Sequence, residues 1–354
     1  MTYRAVLVTG ANGFIARQLI VNLLNRGLHV RGTLRNSDRA DGLRAILSQY
    51  APVEKLDFVS ADLMNDAGWA EAMDGMEAVF HLASPFPPED MRDRSSLVKP
   101  AVDGSLRVLD AARAAGITRV IVTSSLAAVV HGRNLKSRIN PFAEQDWSDL
   151  ESGRLGAYPE SKTRAELAVW DYAWAHPEME ITTINPGSVF GPVIGEEVGT
   201  SAGLVRSLLQ GDFKGLPRIG FEGVDVRDVA ELHEKALFND LSIGNRYIAA
   251  AGFLWLNDVA AFLRDTFVAY AARIPLRILP DISVRLAAVF DRKASLAVPD
   301  LGLYAPCSSA RACNDLGWQP RPAIEAVRAT AQCLIASGLV HAGPVEDTAV
   351  YARV

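Results

Sequence analysis

Tyr158 and Lys162 stand four residues apart in Tyr158-Pro-Glu-Ser-Lys162, so on a helix they share one face. Pro159 is compatible with that helix only in its first turn. A free phenol, with a pKa of about 10, is a poor partner for proton transfer at neutral pH. An ammonium within hydrogen-bonding range favours the phenolate and lowers such a pKa by about 1–3 units. One crossover earlier a strand-like run ends in hydroxyls, Val122-Thr-Ser-Ser125. A phenol, its cation and a serine hydroxyl suit reduction of a carbonyl, where carbon receives hydride and oxygen receives a proton. By itself the Tyr–Lys spacing matches any exposed helical pair; its place after the serine cluster gives it weight.

The elements that must position these groups begin at the N-terminus. Ala5–Val8 is wholly apolar and reads as a strand buried on both faces. Gly10 and Gly13 follow, letting the backbone turn tightly and approach a ligand. From Phe14 to Leu24 apolar residues recur at helical spacing, and Gly27 stands where a helix ends. Such a strand, glycine turn and helix suit a pyrophosphate at the helix N-terminus. Its candidate contacts are Gly10, Asn12, Gly13, Phe14 and Ile15. Further buried-strand runs follow at 29–33, 57–61, 78–83, 119–124 and 181–185, with helical patterns notably at 96–115 and 156–175. The alternation predicts a parallel, doubly wound sheet with ligands at the carboxyl ends of its strands.

Each strand end then carries a candidate contact. After the second comes Thr33-Leu-Arg-Asn, with Arg35 where NAD-binding folds tend to have a carboxylate. An arginine there suits a 2′-phosphate, and so NADP(H), with Arg39 a second contact. Asp62 and Leu63 follow the third strand, Asp62 also being a natural helix N-cap. After the fourth comes His81-Leu-Ala-Ser-Pro-Phe86. Leu82, Ala83 and Ser84 would let the backbone approach the cofactor, whereas His81 reads as a core histidine. After the sixth, Pro186, Gly187 and Ser188 fix a turn suited to lining the nicotinamide. Phe86, Val193 and Phe221 are candidates for an apolar substrate pocket.

The chain has 354 residues, 49% hydrophobic and 22% charged, with net charge −5. That balance fits a soluble globular protein and argues against nucleic acid or an anionic membrane as the main partner. No signal peptide or membrane span is read in it. Cys307, Cys313 and Cys333 form no C-x-x-C motif and read as reduced thiols in a cytoplasmic chain. No metal-ligand spacing occurs among the histidines. The expected partner is a small-molecule carbonyl or alcohol, and the expected state a monomer or homodimer. Residues 1–190 form the expected dinucleotide-binding domain, with 224–250 returning to it. The substrate lobe would comprise 191–223 and 251–354, with 191–224 loop-rich and 224–238 helical.

The turn Gly10-x-x-Gly13-x-x-Ala16 resembles that of the extended short-chain dehydrogenase/reductase superfamily (NAD-dependent epimerase/dehydratase-like), written TGxxGxxG with Ala16 in place of the last glycine. VRGTLR, VFHLASPF, VKPAVDGSLRVLDAA, YPESKTRAELAVWDYA, INPGSVFGP and VDVRDVAELHEKAL, spread over about residues 5–240, narrow the resemblance to its dihydroflavonol reductase-like, aldehyde- and ketone-reducing branch. It implies a Rossmann sheet with a smaller C-terminal lobe, and an adenine contact for Asp62-Leu63. It also implies Ser125 rather than Ser124 as the catalytic hydroxyl, Tyr158 as general acid/base, and Lys162 as its tuner and ribose anchor. Many members have Asn where this chain has Ala101, so a proton relay through that side chain is absent. The implied activity is that of an NADP-dependent oxidoreductase acting on CH–OH or carbonyl groups. Two alternatives share the fold: a nucleotide-sugar epimerase or dehydratase with bound NAD, and a non-catalytic dinucleotide-sensing regulator. The first would need cations for a second diphosphate, where Glu196 and Glu197 stand instead.

Overall fold

The computed structural model describes residues 2–84, 95–132, 140–153, 155–195, 197–290 and 297–341. Its strands are β1 (Ala5–Thr9), β2 (His29–Leu34), β3 (Leu56–Ser60), β4 (Ala78–His81), β5 (Arg119–Thr123), β6 (Glu180–Pro186), β7 (Ser188–Phe190), β8 (Gly220–Asp225), β9 (Arg246–Ala249) and β10 (Phe253–Trp255). Seven of them form one parallel sheet in the order β3-β2-β1-β4-β5-β6-β9. The helices are α1 (Phe14–Asn25), α2 (Ala40–Leu47), α3 (Trp69–Met73), α4 (Ser95–Ala114), α5 (Ala157–Ala175), α6 (Thr200–Gln210), α7 (Val226–Leu237), α8 (Leu256–Thr266), α9 (Asp281–Ala287), α10 (Ala310–Leu316) and α11 (Ala323–Ala336).

Residues 5–8 of β1 are apolar because both faces of the strand are covered. Val6 and Val8 pack with Leu19 and Leu23 of α1 and Leu232 of α7. Leu7, between them, packs on the other side with Val108 of α4 and Val169 of α5. Alternation of side chains along a strand makes this two-sided burial possible, and each such residue contributes about 1.5–3 kcal/mol. The strand order reverses between β1 and β4, which opens a crevice at their carboxyl ends.

β4 stops at His81, two residues short of the expected end, because the Leu82 and Ala83 N–H groups turn onto Thr9 Oγ1. The segment expected to be loop-rich contains α6 and most of β8, and the helix expected from Val224 begins at Val226. Val224 and Asp225 close β8, where they pair with β7. β7, β8 and β10 form a second, three-stranded sheet. Beside it lies a separate core of Val205 and Leu208 from α6, Val259 and Leu263 from α8, and Val327 and Leu334 from α11. α10 departs from the expected partition: Ala312, Leu316 and Trp318 join the core under the large sheet. Among the described residues no helix is long and apolar enough to cross a membrane.

Candidate active site

The glycine turn is built from Thr9 outward. Its hydroxyl accepts the Leu82 and Ala83 N–H groups, at 3.0 and 2.9 Å, and lies 3.0 Å from His81 Nδ1. With both N–H groups donating to the oxygen, the hydroxyl proton goes to Nδ1, which assigns the imidazole proton to Nε2. Burial, helped by the charge of Lys162, pushes the His81 pKa down to about 3, so the ring is neutral. It is a core histidine, as its sequence context suggests.

The next residue, Gly10, has φ +67, and a Cβ there would stand 3.1 Å from Ala83 Cα. Both the conformation and the close approach require glycine. Gly10 N–H donates to Thr33 Oγ1 at 2.9 Å, and Gly13 N–H returns to Gly10 O at 2.8 Å. Gly13 is the N-cap of α1; no side chain caps this helix and no acidic residue lies in its first turn. The N–H groups of Phe14 and Ile15 therefore lack intrahelical partners, and the helix end favours an anion. Asn12 is half-buried beside them, and Ala16 is 2% exposed, its methyl absorbed into the core.

At the end of β2, Arg35 is exposed and makes no hydrogen bond or ion pair to another described residue. Arg39 is engaged: its Nη1 lies 3.1 Å from Glu197, which also sits 3.2 Å from Arg17. Arg17 is a residue the sequence reading left unassigned. It is 5% exposed and donates to Ile194 O at 2.6 Å, tying α1 to the segment that follows β7. Asp62 does not cap a helix; its Oδ1 accepts Met64 N–H in a local turn, and the following helix starts from Gly68. Leu63 packs against Gly104 of α4, whose missing side chain leaves it room.

The candidate reacting residues lie at the same strand-end crevice. α5 starts after Gly156, with Pro159 inside its first turn. Lys162 Nζ lies 2.9 Å from Ser84 Oγ and 5.9 Å from the centre of the Tyr158 ring. Ser84 directly follows Ala83, the residue packed on Gly10, so the Tyr–Lys pair stands at the mouth of the glycine turn. Tyr158 is 39% exposed.

The two serines at the end of β5 differ in what they hold. Ser124 is 9% exposed and its hydroxyl lies 2.6 Å from Glu166 Oε2. Ser125 Oγ caps the short Leu126–Ala128 turn by accepting Ala127 N–H at 3.1 Å, which leaves its own proton to donate. α5 packs directly on that turn. At the end of β6, Gly187 passes so close to β8 that a Cβ would stand 2.4 Å from Glu222 O. Pro186 is buried beneath it, and Ser188 opens β7.

Of the substrate candidates, Phe86 lies outside the described residues. Val193 is 5% exposed in the lobe core, where its N–H donates to Cys333 Sγ at 3.3 Å. Phe221 is half-buried against Phe190, with ring centres 5.5 Å apart. Glu166 went unread as a site residue, although Tyr158, Lys162 and Glu166 continue one four-residue spacing along α5.

Residues 6–248 match the NAD dependent epimerase/dehydratase family. Dihydroflavonol 4-reductase of Zea mays is 31% identical over 306 residues, covering 84% of this chain and 82% of the relative. Cinnamoyl-CoA reductase 2 of Arabidopsis thaliana is 34% identical over 271 residues, covering 75% and 79%. Among solved structures, the yeast methylglyoxal/isovaleraldehyde reductase Gre2 complexed with NADPH has a TM-score of 0.79 at 27% identity, covering 95% of this chain and all of that one (100%).

Proposed function

The chain belongs to the NAD dependent epimerase/dehydratase family, and within it we propose that this protein is an NADPH-dependent reductase of aldehyde or ketone carbonyls, running in reverse as a secondary-alcohol dehydrogenase. The observation that carries this reading is the Lys162–Ser84 hydrogen bond. It joins the proton-transfer helix to the strand end that packs on the glycine turn.

NADPH fits the crevice on three counts: the uncapped start of α1, the bare Cα of Gly10 beneath Ala83, and Arg35 at the end of β2, unpaired among the described residues. In this reading Gly10, Asn12, Gly13, Phe14 and Ile15 hold the pyrophosphate and Arg35 the 2′-phosphate. Asp62, Leu63, Leu82, Ala83 and Ser84 line the adenine and ribose side, and Pro186, Gly187 and Ser188 the nicotinamide side. Bound NADPH supplies a hydride to the carbonyl carbon.

The chain's own groups handle the oxygen. Ser125 Oγ, already accepting from Ala127, donates its proton as a hydrogen bond to the carbonyl oxygen and polarises it. Tyr158 transfers its phenolic proton to the same oxygen as the C=O bond becomes C–O–H. Lys162 stabilises the phenolate left behind. Because Tyr158 is partly exposed, water reaches the phenol and returns its proton without a side-chain relay through Ala101. A nucleotide-sugar substrate is disfavoured by Glu197, whose carboxylate occupies Arg17 and Arg39 on the segment where a second diphosphate would need free cations.

A panel of aldehydes, ketones and dihydroflavonol-like compounds, followed by NADPH absorbance, tests the assignment. At least one should consume NADPH and yield the alcohol. A protein that binds NADPH tightly yet reduces no member of the panel contradicts it.

A further inference from the structure

Glu166 is a glutamate buried to 1% exposure in the middle of α5, and the reaction as drawn above does not use it. It lies one turn below Lys162 and two below Tyr158 on the same stripe of the helix. Its Oε2 receives Ser124 Oγ at 2.6 Å, Asn185 Nδ2 at 2.7 Å and Arg246 Nη2 at 3.3 Å. Its Oε1 receives Thr183 Oγ1 at 2.9 Å and Arg246 Nε at 2.7 Å. These donors come from the residue after β5, from within β6 and from the first residue of β9. The Asn185 amide that reaches Glu166 also reaches Ser125 O, at 3.2 Å.

The brace extends outward through Arg246. This guanidinium donates to Glu144 O at 2.6 Å and Asp146 O at 2.9 Å, and lies 3.6 Å from the centre of the Trp147 ring. Burying such a pair is no efficient route to stability, because well-packed apolar residues of similar volume often do as well or better. What the pair supplies is geometry. One carboxylate grips the residue before Ser125 and, through Asn185, the Ser125 carbonyl, while its own backbone carries the Tyr158–Lys162 helix.

We propose that Glu166 is a positioning residue, which fixes Ser125 against Tyr158 and Lys162 by locking the end of β5 to α5. The inference rests on the reductase reading, since it gives those three residues a shared substrate oxygen. Misplacing a reacting group by an ångström can cost about a hundredfold in rate. A glutamine cannot replace the carboxylate, because its NH₂ would confront the donors of Arg246 or Asn185.

The test compares the wild type with Glu166→Gln and the milder Ser124→Ala, which deletes one strut and leaves the Ser125 side chain itself unaltered. Turnover is expressed per NADPH-binding molecule, so that misfolded protein does not count, and amide hydrogen exchange is measured on the cofactor-free chain. Glu166→Gln should lower kcat by about 10- to 100-fold, and Ser124→Ala by roughly fivefold. KM for NADPH should stay within about twofold, and amides 124–129 should exchange faster while those of β1 and α1 do not. Wild-type kcat per NADPH-binding molecule in both variants overturns the proposal, as does unchanged exchange at 124–129. Should Glu166→Gln fail to fold, Ser124→Ala decides on the same two readouts. A wild type that reduces no carbonyl overturns the reductase reading instead, and the exchange pattern still decides whether Glu166 holds Ser125 in place.

Discussion

The two halves of the strand-end crevice rest on different floors. Over β1, β2 and β4 the support is uncharged: Thr9, Thr33 and a neutral His81 hold the glycine turn through hydroxyl and imidazole hydrogen bonds. Over β5, β6 and β9 the support is ionic, with Glu166 and Arg246 buried together among Ser124, Thr183 and Asn185. On the proposed reading, the contrast follows from what each half must do. A phosphate-binding turn works by backbone N–H groups and close approach, and a buried charge beneath it would compete with the ligand. A proton-transfer site works by the fixed relative placement of side chains from different elements, which a multidentate ion pair provides.

If that division is real, substitutions in the two halves should separate binding from turnover. The largest separation is expected at Ser125→Ala, which removes the free donor at the reacting end. Its kcat should fall by about 10²- to 10³-fold, with NADPH affinity within about twofold of the wild type by fluorescence titration. A comparable loss of NADPH affinity would merge the two halves. The next effect belongs to the binding half. Arg35→Asp should raise KM for NADPH by about tenfold or more, the loss expected for a charge-assisted hydrogen bond, and leave KM for NADH nearly unchanged. Equal effects on both cofactors remove the case for a 2′-phosphate site.

The smallest effect sharpens the uncharged character of the first half. Burial pushes the pKa of His81 to about 3 and that of His233, a second core histidine bonded to Thr123 and Val229, to about 4. Both lie below the unfolded value of about 6.5, so between those limits the unfolded chain binds more protons. Their contribution to stability is fully present above about pH 6.5 and is lost as the pH falls through that window. Calorimetry at pH 5 in buffers of different ionisation enthalpy should find the wild type taking up about one proton more on unfolding than His81→Asn. Equal uptake would mean that His81 is charged in the fold.

The same division governs what could be read from the residues alone. The glycine turn, Arg35 and the Tyr158–Lys162 pair are local: a few neighbouring residues carry the strand end, the helix start or the shared helical face. Glu166 escaped because its burial comes from β5, β6 and β9, far away in the chain, and nothing in its own helix marks it as a brace. β8 escaped because Gly220-Phe-Glu-Gly-Val-Asp looks like a loop. Its glycines instead make room, Gly220 for the rings of Phe253 and Trp255, and Gly223 for Ala323 of α11. Asp62 followed a strand as an N-cap should, but the chain turns on it before the next helix begins. The choice of Ser125 over its neighbour rested on resemblance alone, and the physical difference is the Ser124–Glu166 hydrogen bond.

The most direct test of the account is Tyr158→Phe, assayed by NADPH consumption with a carbonyl that the wild type reduces and by NADPH titration of the same preparation. The account predicts loss of turnover by about 10²-fold or more, the contribution of a positioned general acid, with NADPH bound as tightly as before. Turnover retained at the wild-type level in a variant without that phenol contradicts it.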